Sequence, residues 1–176
     1  KMLGMSKAGI FKYYKNKQEL FIAVVDKFWF STQNPRNKFT ETNGTFAEFI
    51  DEYVRGVQRT MDMLGDLIGA EREKVAQGKF TYHAQYFHFL FQLLQYDPDA
   101  KEKLRNLVDG DYAYWRAAIQ RAIATGELRE DVDVEDAVVM FRQVYMGLSF
   151  EMAFMGGLNT QRLAKHLHAV YSLLKR

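Results

Sequence analysis

Residues 3–21 read LGMSKAGIFKYYKNKQELF, and this stretch sets the organisation of the first part of the chain. Ser6 is suited to cap a short helix that runs to about Tyr14, because its hydroxyl can accept a hydrogen bond from a free backbone N–H. Asn16 caps a second helix, and Glu19 at the third helical position completes a capping-box pattern. The stretch therefore predicts two short helices joined by a tight turn.

The positive charge of the chain is concentrated at this end. Residues 1–27 contain six lysines against two acidic residues, a balance of +4, whereas the other 18 basic and 20 acidic residues give −2. Attraction to nucleic-acid phosphates requires such a cluster of positive charge. A lysine-rich helix can also be a merely solvated face, so charge alone leaves both interpretations open.

The composition is that of a helical protein with bulky side chains inside. There are 14 Phe, 10 Tyr and 8 Met but only two Pro, and no segment alternates strictly between polar and apolar residues, so we predict an all-α fold. The absence of cysteine excludes disulfides, cysteine-ligated zinc and thiol catalysis. We expect neither a membrane span nor a secretion signal, and therefore a cytoplasmic protein.

A polar segment, residues 34–44, is predicted to be a loop between two units, residues 1–33 and 45–176. Pro35 disfavours helical geometry in Asn34, so the last helix of the first unit should stop there.

Capping residues and glycines divide the second unit into further helices. The predicted starts are Thr45 with Glu48, Asp97 with Pro98, Asp133, and Thr160, and the predicted ends or breaks are Gly110, Gly126 and Gly156–Gly157. The segment 82–96 is apolar almost all round, so we expect other helices to surround it.

Titratable residues form no pattern that is typical of a metal site or an enzyme. His83 and His88 are five residues apart, about 140° around a helix, and His166 and His168 are two apart, so neither pair shares a face as metal ligands would. The sequence has no Glu-x-x-His pair, phosphate-binding loop or nucleophile elbow. We expect no metal, no cofactor and no enzymatic activity.

A second informative stretch, residues 122–137, reads AIATGELREDVDVEDA. It predicts a helical hairpin in which one helix closes at Gly126, Leu128 tucks back under that helix, and Asp133 caps the next. Such a hairpin alone is unspecific, but its position downstream of residues 3–21 is informative.

Taken together, the two stretches resemble the TetR family of transcriptional regulators. Residues 3–21 resemble the recognition-helix half of the family's helix-turn-helix, with a Gly-containing turn, Ser-Lys, an aromatic helix end and Lys-x-x-Leu-Phe. Residues 122–137 resemble the Gly-Glu-Leu-Arg … Asp loop of the family's C-terminal domains. The resemblance implies a partial N-terminal helix-turn-helix with its connecting helix, residues 1–33, and a larger helical effector-binding and dimerisation domain, residues 45–176.

The resemblance also implies how DNA would be contacted, with the first turn of the recognition helix in the major groove. The residues expected at this interface are Ser6, Lys7, Ala8 and Gly9 in that turn and Lys12, Tyr13, Lys15 and Lys17 along the sugar-phosphate backbone. In the family pattern the first helix and most of the second precede Lys1. We therefore expect the natural protein to have an N-terminal extension, without which this chain would bind DNA poorly.

A small-molecule effector and a homodimer follow from the same resemblance. The candidate pocket residues lie on helices that look apolar all round: Phe49, Tyr53, Met61, Tyr82, Tyr86, Phe87, Phe91, Trp115, Phe141 and Tyr145. Tyrosine and tryptophan bring a hydrogen-bonding tip to an apolar wall, so an aromatic or lipophilic effector is favoured. The expected dimer interface contains Ile119, Ile123, Val144, Gly147, Leu148 and Phe150. Periodicity does not distinguish either set from ordinary core.

The leading hypothesis is thus a ligand-responsive, homodimeric DNA-binding repressor. The alternative is a helical small-molecule-binding or interaction protein that does not bind DNA.

Overall fold

The computed structural model describes residues 12–39, 44–67 and 82–176. Within these ranges the chain is helical, and its extended backbone pairs only at an isolated antiparallel bridge between Leu128 and Lys175. Helix α1, residues 17–33, consists of Lys17–Val24, a π-helical segment Val25–Phe30 and a last turn Ser31–Gln33. The other helices are α2 (Pro35–Lys38), α3 (Phe46–Leu67), α4 (Tyr82–Tyr96), α5 (Ala100–Ala124), α6 (Val134–Ala153) and α7 (Thr160–Leu174). The predicted all-α class is confirmed.

Capping side chains begin α1 and α3 at the residues that the sequence predicts. Asn16 Oδ1 accepts a hydrogen bond from the Glu19 N–H at 2.8 Å and begins α1. The capping box of α3 is reciprocal, because Glu48 N–H donates to Thr45 Oγ1 at 3.2 Å and Thr45 N–H donates to Glu48 Oε2 at 2.8 Å. These bonds satisfy backbone groups that have no partner inside the helix.

The predicted loop after α1 contains a helix, so that prediction was wrong in part. Asn34 leaves helical geometry at φ −52° and ψ 129°, as expected before Pro35. The Asn34 carboxamide oxygen then accepts from the Arg36 N–H at 3.1 Å, and Pro35 becomes the first residue of α2. Proline ends one helix and begins another here, because its fixed φ and missing N–H suit a first turn.

Helix α2 carries the chain into the core. Phe39, which follows α2, is buried and stacks on Tyr114 with ring centroids 4.8 Å apart and planes 2° apart. A Cβ at Gly56 of α3 would lie 2.0 Å from the Lys38 carbonyl oxygen, so only glycine permits this close approach. Lys38 and Phe39 therefore belong to the packed interior.

Helix α5 is continuous from Ala100 to Ala124 and has no break at Gly110, which the sequence had offered as a possible break. A Cβ at Gly110 would lie 2.8 Å from Pro35 Cγ, so this glycine makes room for α2. The predicted start was two residues early: Asp97 Oδ1 accepts from the Asp99 N–H at 3.0 Å in a separate turn before Ala100.

The main core lies between α3, α5, α6 and α7, with α2 at one end. Its centre is Trp115, which is fully buried and stacks on Phe141 with centroids 4.8 Å apart. A second, smaller cluster joins α1 to α4 and α5 through Val25, Trp29, Leu93 and Ala100.

The predicted hairpin after α5 is confirmed, and it joins three helix ends. Gly126 adopts φ +75°, Leu128 is fully buried, and Asp133 Oδ1 accepts from the Asp136 N–H at 2.9 Å. The hairpin is also bonded to the end of α7, because the Arg129 N–H donates to the Leu174 carbonyl at 3.1 Å.

Glu127 accepts three hydrogen bonds from two other helices. Its carboxylate receives the Phe46 N–H at 2.8 Å and the Ala47 N–H at 3.3 Å, both at the start of α3. It also receives the Tyr171 hydroxyl of α7 at 2.9 Å. Burial and this hydrogen bond raise the pKa of Tyr171 to about 12, so the phenol stays protonated and remains a donor. A carboxylate at a helix N-terminus also interacts favourably with the helix dipole.

Glu127→Gln should destabilise the fold, because the amide keeps one acceptor oxygen and loses the charge at the start of α3. We expect a loss of about 1–3 kcal/mol in the free energy of unfolding, measured by urea denaturation. Glu130→Gln, an exposed change in the same loop, is the control and should stay within about 0.5 kcal/mol of the unmodified chain. Equal stability of the two variants would contradict this role for Glu127.

Candidate functional site

Of the residues expected to contact DNA, those that the structure describes are exposed and lie directly before α1 or at its start. Ser6, Lys7, Ala8 and Gly9 lie outside the described residues. The side chains of Lys12, Tyr13, Lys15 and Lys17 are all exposed. We refer to Lys12, Lys15 and Lys17 as the basic segment.

Aromatic packing attaches α1 to α4. The buried Trp29 ring lies 5.8 Å, centroid to centroid, from both Tyr86 and Phe89. Nearer the basic segment, Gln18 Nε2 donates to the Tyr96 carbonyl at 2.6 Å. Both ends of α1 are thereby in contact with α4.

An ion pair holds α1 to α5 as well. Lys103 Nζ lies 2.7 Å from Asp26 Oδ1 and 2.9 Å from the buried Asp97 Oδ2. Burial lowers the pKa of Lys103, but the hydrogen bonds to the two carboxylates outweigh that effect and the pKa is raised. Asp26 lies in the π-helical segment of α1, a backbone geometry that is frequent at functional sites.

The structure places most of the candidate pocket residues together. Phe49, Tyr53, Trp115 and Phe141 are buried in the main core, and Met61 and Tyr145 pack partly buried against it. Tyr86 belongs to the second cluster, Phe87 packs on Phe150 with centroids 5.2 Å apart, and the side chain of Tyr82 lies outside the described set.

Phe91 lies elsewhere, on the open side of α4. Its side chain is 64% exposed, and Leu94 and Tyr96 are also exposed. The expectation that other helices surround α4 was therefore wrong for this chain alone. Its contacts with α1, α5 and α6 leave part of its apolar surface uncovered.

Three charged residues that sequence analysis did not single out meet inside the fold. Asp111 Oδ2 lies 3.7 Å from Lys38 Nζ and 3.4 Å from Arg142 Nε. The three side chains are at most 10% exposed. We call Lys38, Asp111 and Arg142 the buried ionic cluster.

A signal for two members of this cluster was present in the sequence. Arg142 is the only charged residue between Asp136 and Glu151. Asp111 precedes the buried Trp115 by one helical turn and thus shares its inward face. Lys38 gave no such signal, because it falls in the segment predicted to be a loop.

Tyrosine rings surround the buried ionic cluster. The Tyr145 ring centroid lies 5.8 Å from Lys38 Nζ and 5.6 Å from Arg142 Cζ, within the range of cation–π attraction. Tyr53 packs on Tyr145 with centroids 5.9 Å apart.

Burial raises the pKa of Tyr53 and of Tyr86, so both keep their hydroxyl protons. Burial lowers the pKa of Arg142 and the Asp111 carboxylate raises it; the net direction is upward, so the guanidinium stays charged.

Several buried polar atoms in this region have no hydrogen-bond partner within the described structure. They are Tyr53 OH, Asp111 Oδ1, Trp115 Nε1, Arg142 Nε and Nη1, and Ser149 Oγ. The Arg142–Asp111 contact is an ion pair without hydrogen-bond alignment. An unsatisfied buried group costs about 1–3 kcal/mol, so such a concentration is unusual for a core with a purely structural role.

The candidate dimer residues fall into two groups. Ile119 and Leu148 are buried in the core of this chain, so, contrary to expectation, they offer almost no surface to a second subunit. Ile123 and Val144 are half-buried, whereas Gly147 and Phe150 are exposed. A Cβ at Gly147 would meet nothing within 4 Å.

No group of three or more His, Asp or Glu side chains in the described ranges could hold a metal ion. His168 instead contacts Asp51 at 2.7 Å, and His88 contacts Gln92 at 3.0 Å. None of the described helices is long and apolar enough to cross a bilayer.

Comparison with known protein families finds a match over most of this fold. Residues 47–168, from the first turn of α3 into α7, match the family described as tetracyclin repressor-like, C-terminal domain. Comparisons with curated proteins and with solved structures found no match. Since the matched region spans well over half of the chain and is all-helical, the chain belongs to the TetR family of regulators.

Proposed function

We propose that this chain acts as a ligand-responsive, homodimeric DNA-binding repressor. In this proposal an effector binds beside the buried ionic cluster and changes the position of the basic segment. The observation that carries the proposal is the packing of α1, which directly follows the basic segment, on Tyr86 and Phe89 of α4 through Trp29. The alternative, a helical binding protein without DNA affinity, would leave the basic segment without a role.

Helix α4 links α1 to α6, the helix that carries Arg142. Phe87 of α4 packs on Phe150 of α6 with ring centroids 5.2 Å apart. The preceding residue of α4, Tyr86, packs on Trp29 of α1. A ligand that displaces Tyr86 would therefore act directly on the helix that follows the basic segment.

Helix α1 is suited to transmit such a displacement. Its contacts with α4 and α5 include an aromatic cluster around Trp29 and the ion pair between Asp26 and Lys103. Both are discrete contacts that can be kept or broken. Movement of Trp29 would change the direction of α1 and thus the separation of the two basic segments in a dimer.

The charge of the basic segment supports binding to phosphates. Lys12, Lys15 and Lys17 are exposed, and no side-chain ion pair of theirs occurs among the described residues. Free exposed ammonium groups can replace the cations condensed on DNA, and release of those cations favours binding at low salt.

An apolar stripe on α6 supports the homodimer. Met140, Gly147, Phe150 and Phe154 are exposed at spacings of seven, three and four residues, so they share one helix face. The Phe87, Phe150 and Phe154 rings continue this surface toward α4, with successive centroids 5.2 Å apart. Contiguous exposed apolar surface of this kind is typical of protein–protein interfaces.

DNA binding is tested with the full-length natural protein and the DNA beside its own gene, by fluorescence anisotropy at several salt concentrations. Replacing Lys12, Lys15 and Lys17 by Ala should flatten the plot of log affinity against log salt by about 0.9 per lost phosphate contact. The matched control replaces the exposed Lys101, Lys165 and Lys175 by Ala, which changes the net charge equally. Equal slopes for the two triple variants, or no DNA binding by the natural protein, would refute this assignment.

The dimer is tested by measuring the mass of the protein by light scattering as it elutes from a size-exclusion column. The unmodified chain should have twice its mass of 20.6 kDa, and Phe150→Asp should shift it to monomer, because a carboxylate would be buried without a partner. Leu173→Asp, an exposed apolar residue on α7, should leave the mass unchanged. A monomeric unmodified chain at micromolar concentration would contradict the proposed interface.

A further inference from the structure

The buried ionic cluster contains one more positive charge than negative charge. Lys38 and Arg142 are cationic, and Asp111 is the only acidic side chain paired with them in the described part of the chain. A buried charge without a counter-ion is strongly unfavourable, so a single additional negative charge would stabilise this region. The charge balance points to a monoanion and disfavours a dianion.

The unpartnered atoms of the cluster are suited to a carboxylate. Arg142 Nε and Nη1 and the Tyr53 hydroxyl are buried hydrogen-bond donors without partners. A guanidinium N–H such as that of Arg142 Nη1 forms a charge-assisted hydrogen bond with a carboxylate oxygen, which is stronger than one with a neutral acceptor. Asp111 Oδ1 is an unpartnered acceptor and is available to an O–H or N–H group of the same ligand.

The surroundings of these donors are apolar. Tyr53 packs edge-on against Trp115 with centroids 4.9 Å apart, and Tyr145 covers both cations. Ligand sites commonly combine such an apolar wall with a few polar groups that fix orientation. A small polar anion would leave the aromatic wall without a contact.

We propose that the effector is a hydrophobic monocarboxylic acid, with its carboxylate on Arg142 and Lys38 and its apolar body against Tyr53, Tyr145 and Trp115. This inference rests on the proposed function, because it names the ligand class of the same effector site. The competing explanation is a purely structural ion triad, which predicts no ligand dependence.

The test compares acids with their matched alcohols on the full chain, without DNA. The probes are 4-phenylbutyrate, octanoate and 2-naphthoate, each beside the corresponding alcohol, and acetate. Binding is followed by the melting temperature and by the fluorescence of the two tryptophans. At least one hydrophobic acid should bind saturably and at least ten-fold more tightly than its alcohol, and acetate should have no effect. Alcohols that bind as well as acids, or a panel in which no acid binds, would overturn the proposal.

Two variants assign the binding to the cluster. Arg142→Met and Lys38→Met should each weaken acid binding at least ten-fold. Lys38→Met leaves the neutral Arg142–Asp111 pair, so it keeps the test usable if Arg142→Met does not fold. Arg116→Met removes a partly exposed arginine that pairs with Glu135 and is the matched control, with unchanged affinity expected. Unchanged acid affinity in a folded Lys38→Met or Arg142→Met variant would refute the site.

This experiment separates the inference from the regulator proposal. Because it is carried out without DNA, acid binding by a protein that does not bind DNA would support the inference and refute only the DNA-binding role. DNA binding by a protein that binds none of the acids would refute the inference and leave the regulator proposal standing.

Discussion

The carboxylate of Glu127 is the contact on which the arrangement of the larger domain depends. It accepts the first free N–H groups of α3 and the hydroxyl of Tyr171 in α7, from a loop that directly follows α5. These hydrogen bonds join three helix ends without any contribution from the apolar core side chains. The aromatic packing around Trp115 depends on that relation between α3 and α5, because Phe49 and Tyr53 of α3 pack on its ring.

The interior reflects a compromise between stability and binding. A core of this size could be filled by apolar side chains alone, which is often more stable than a buried ion group. This chain instead places charges and unpartnered donors beside a tyrosine ring. In the proposed regulator, a ligand of opposite charge would offset the unfavourable burial of these polar groups.

Sequence analysis predicted the features that depend on neighbouring residues. The Asn16, Thr45 and Asp133 caps and the turn at Gly126 use local hydrogen bonds or backbone freedom, which short motifs encode. It did not predict the buried ionic cluster, whose members come from three helices and meet only through tertiary packing. It assigned Ile119 to an interface because helical periodicity marks an apolar face without saying which neighbour covers it. The DNA contacts stay predictions.

Gly56 has a consequence for how such a regulator could evolve. The Lys38 carbonyl oxygen rests so close to α3 that any Cβ at position 56 would force the main chain of α2 outward. The ammonium group of Lys38 would then move away from Asp111, although the sequence would keep all of its charged residues. A mutation at position 56, whose residue carries no charge, can therefore change the electrostatic preference of the interior. Ligand selectivity in relatives would then not be readable from their charged residues alone.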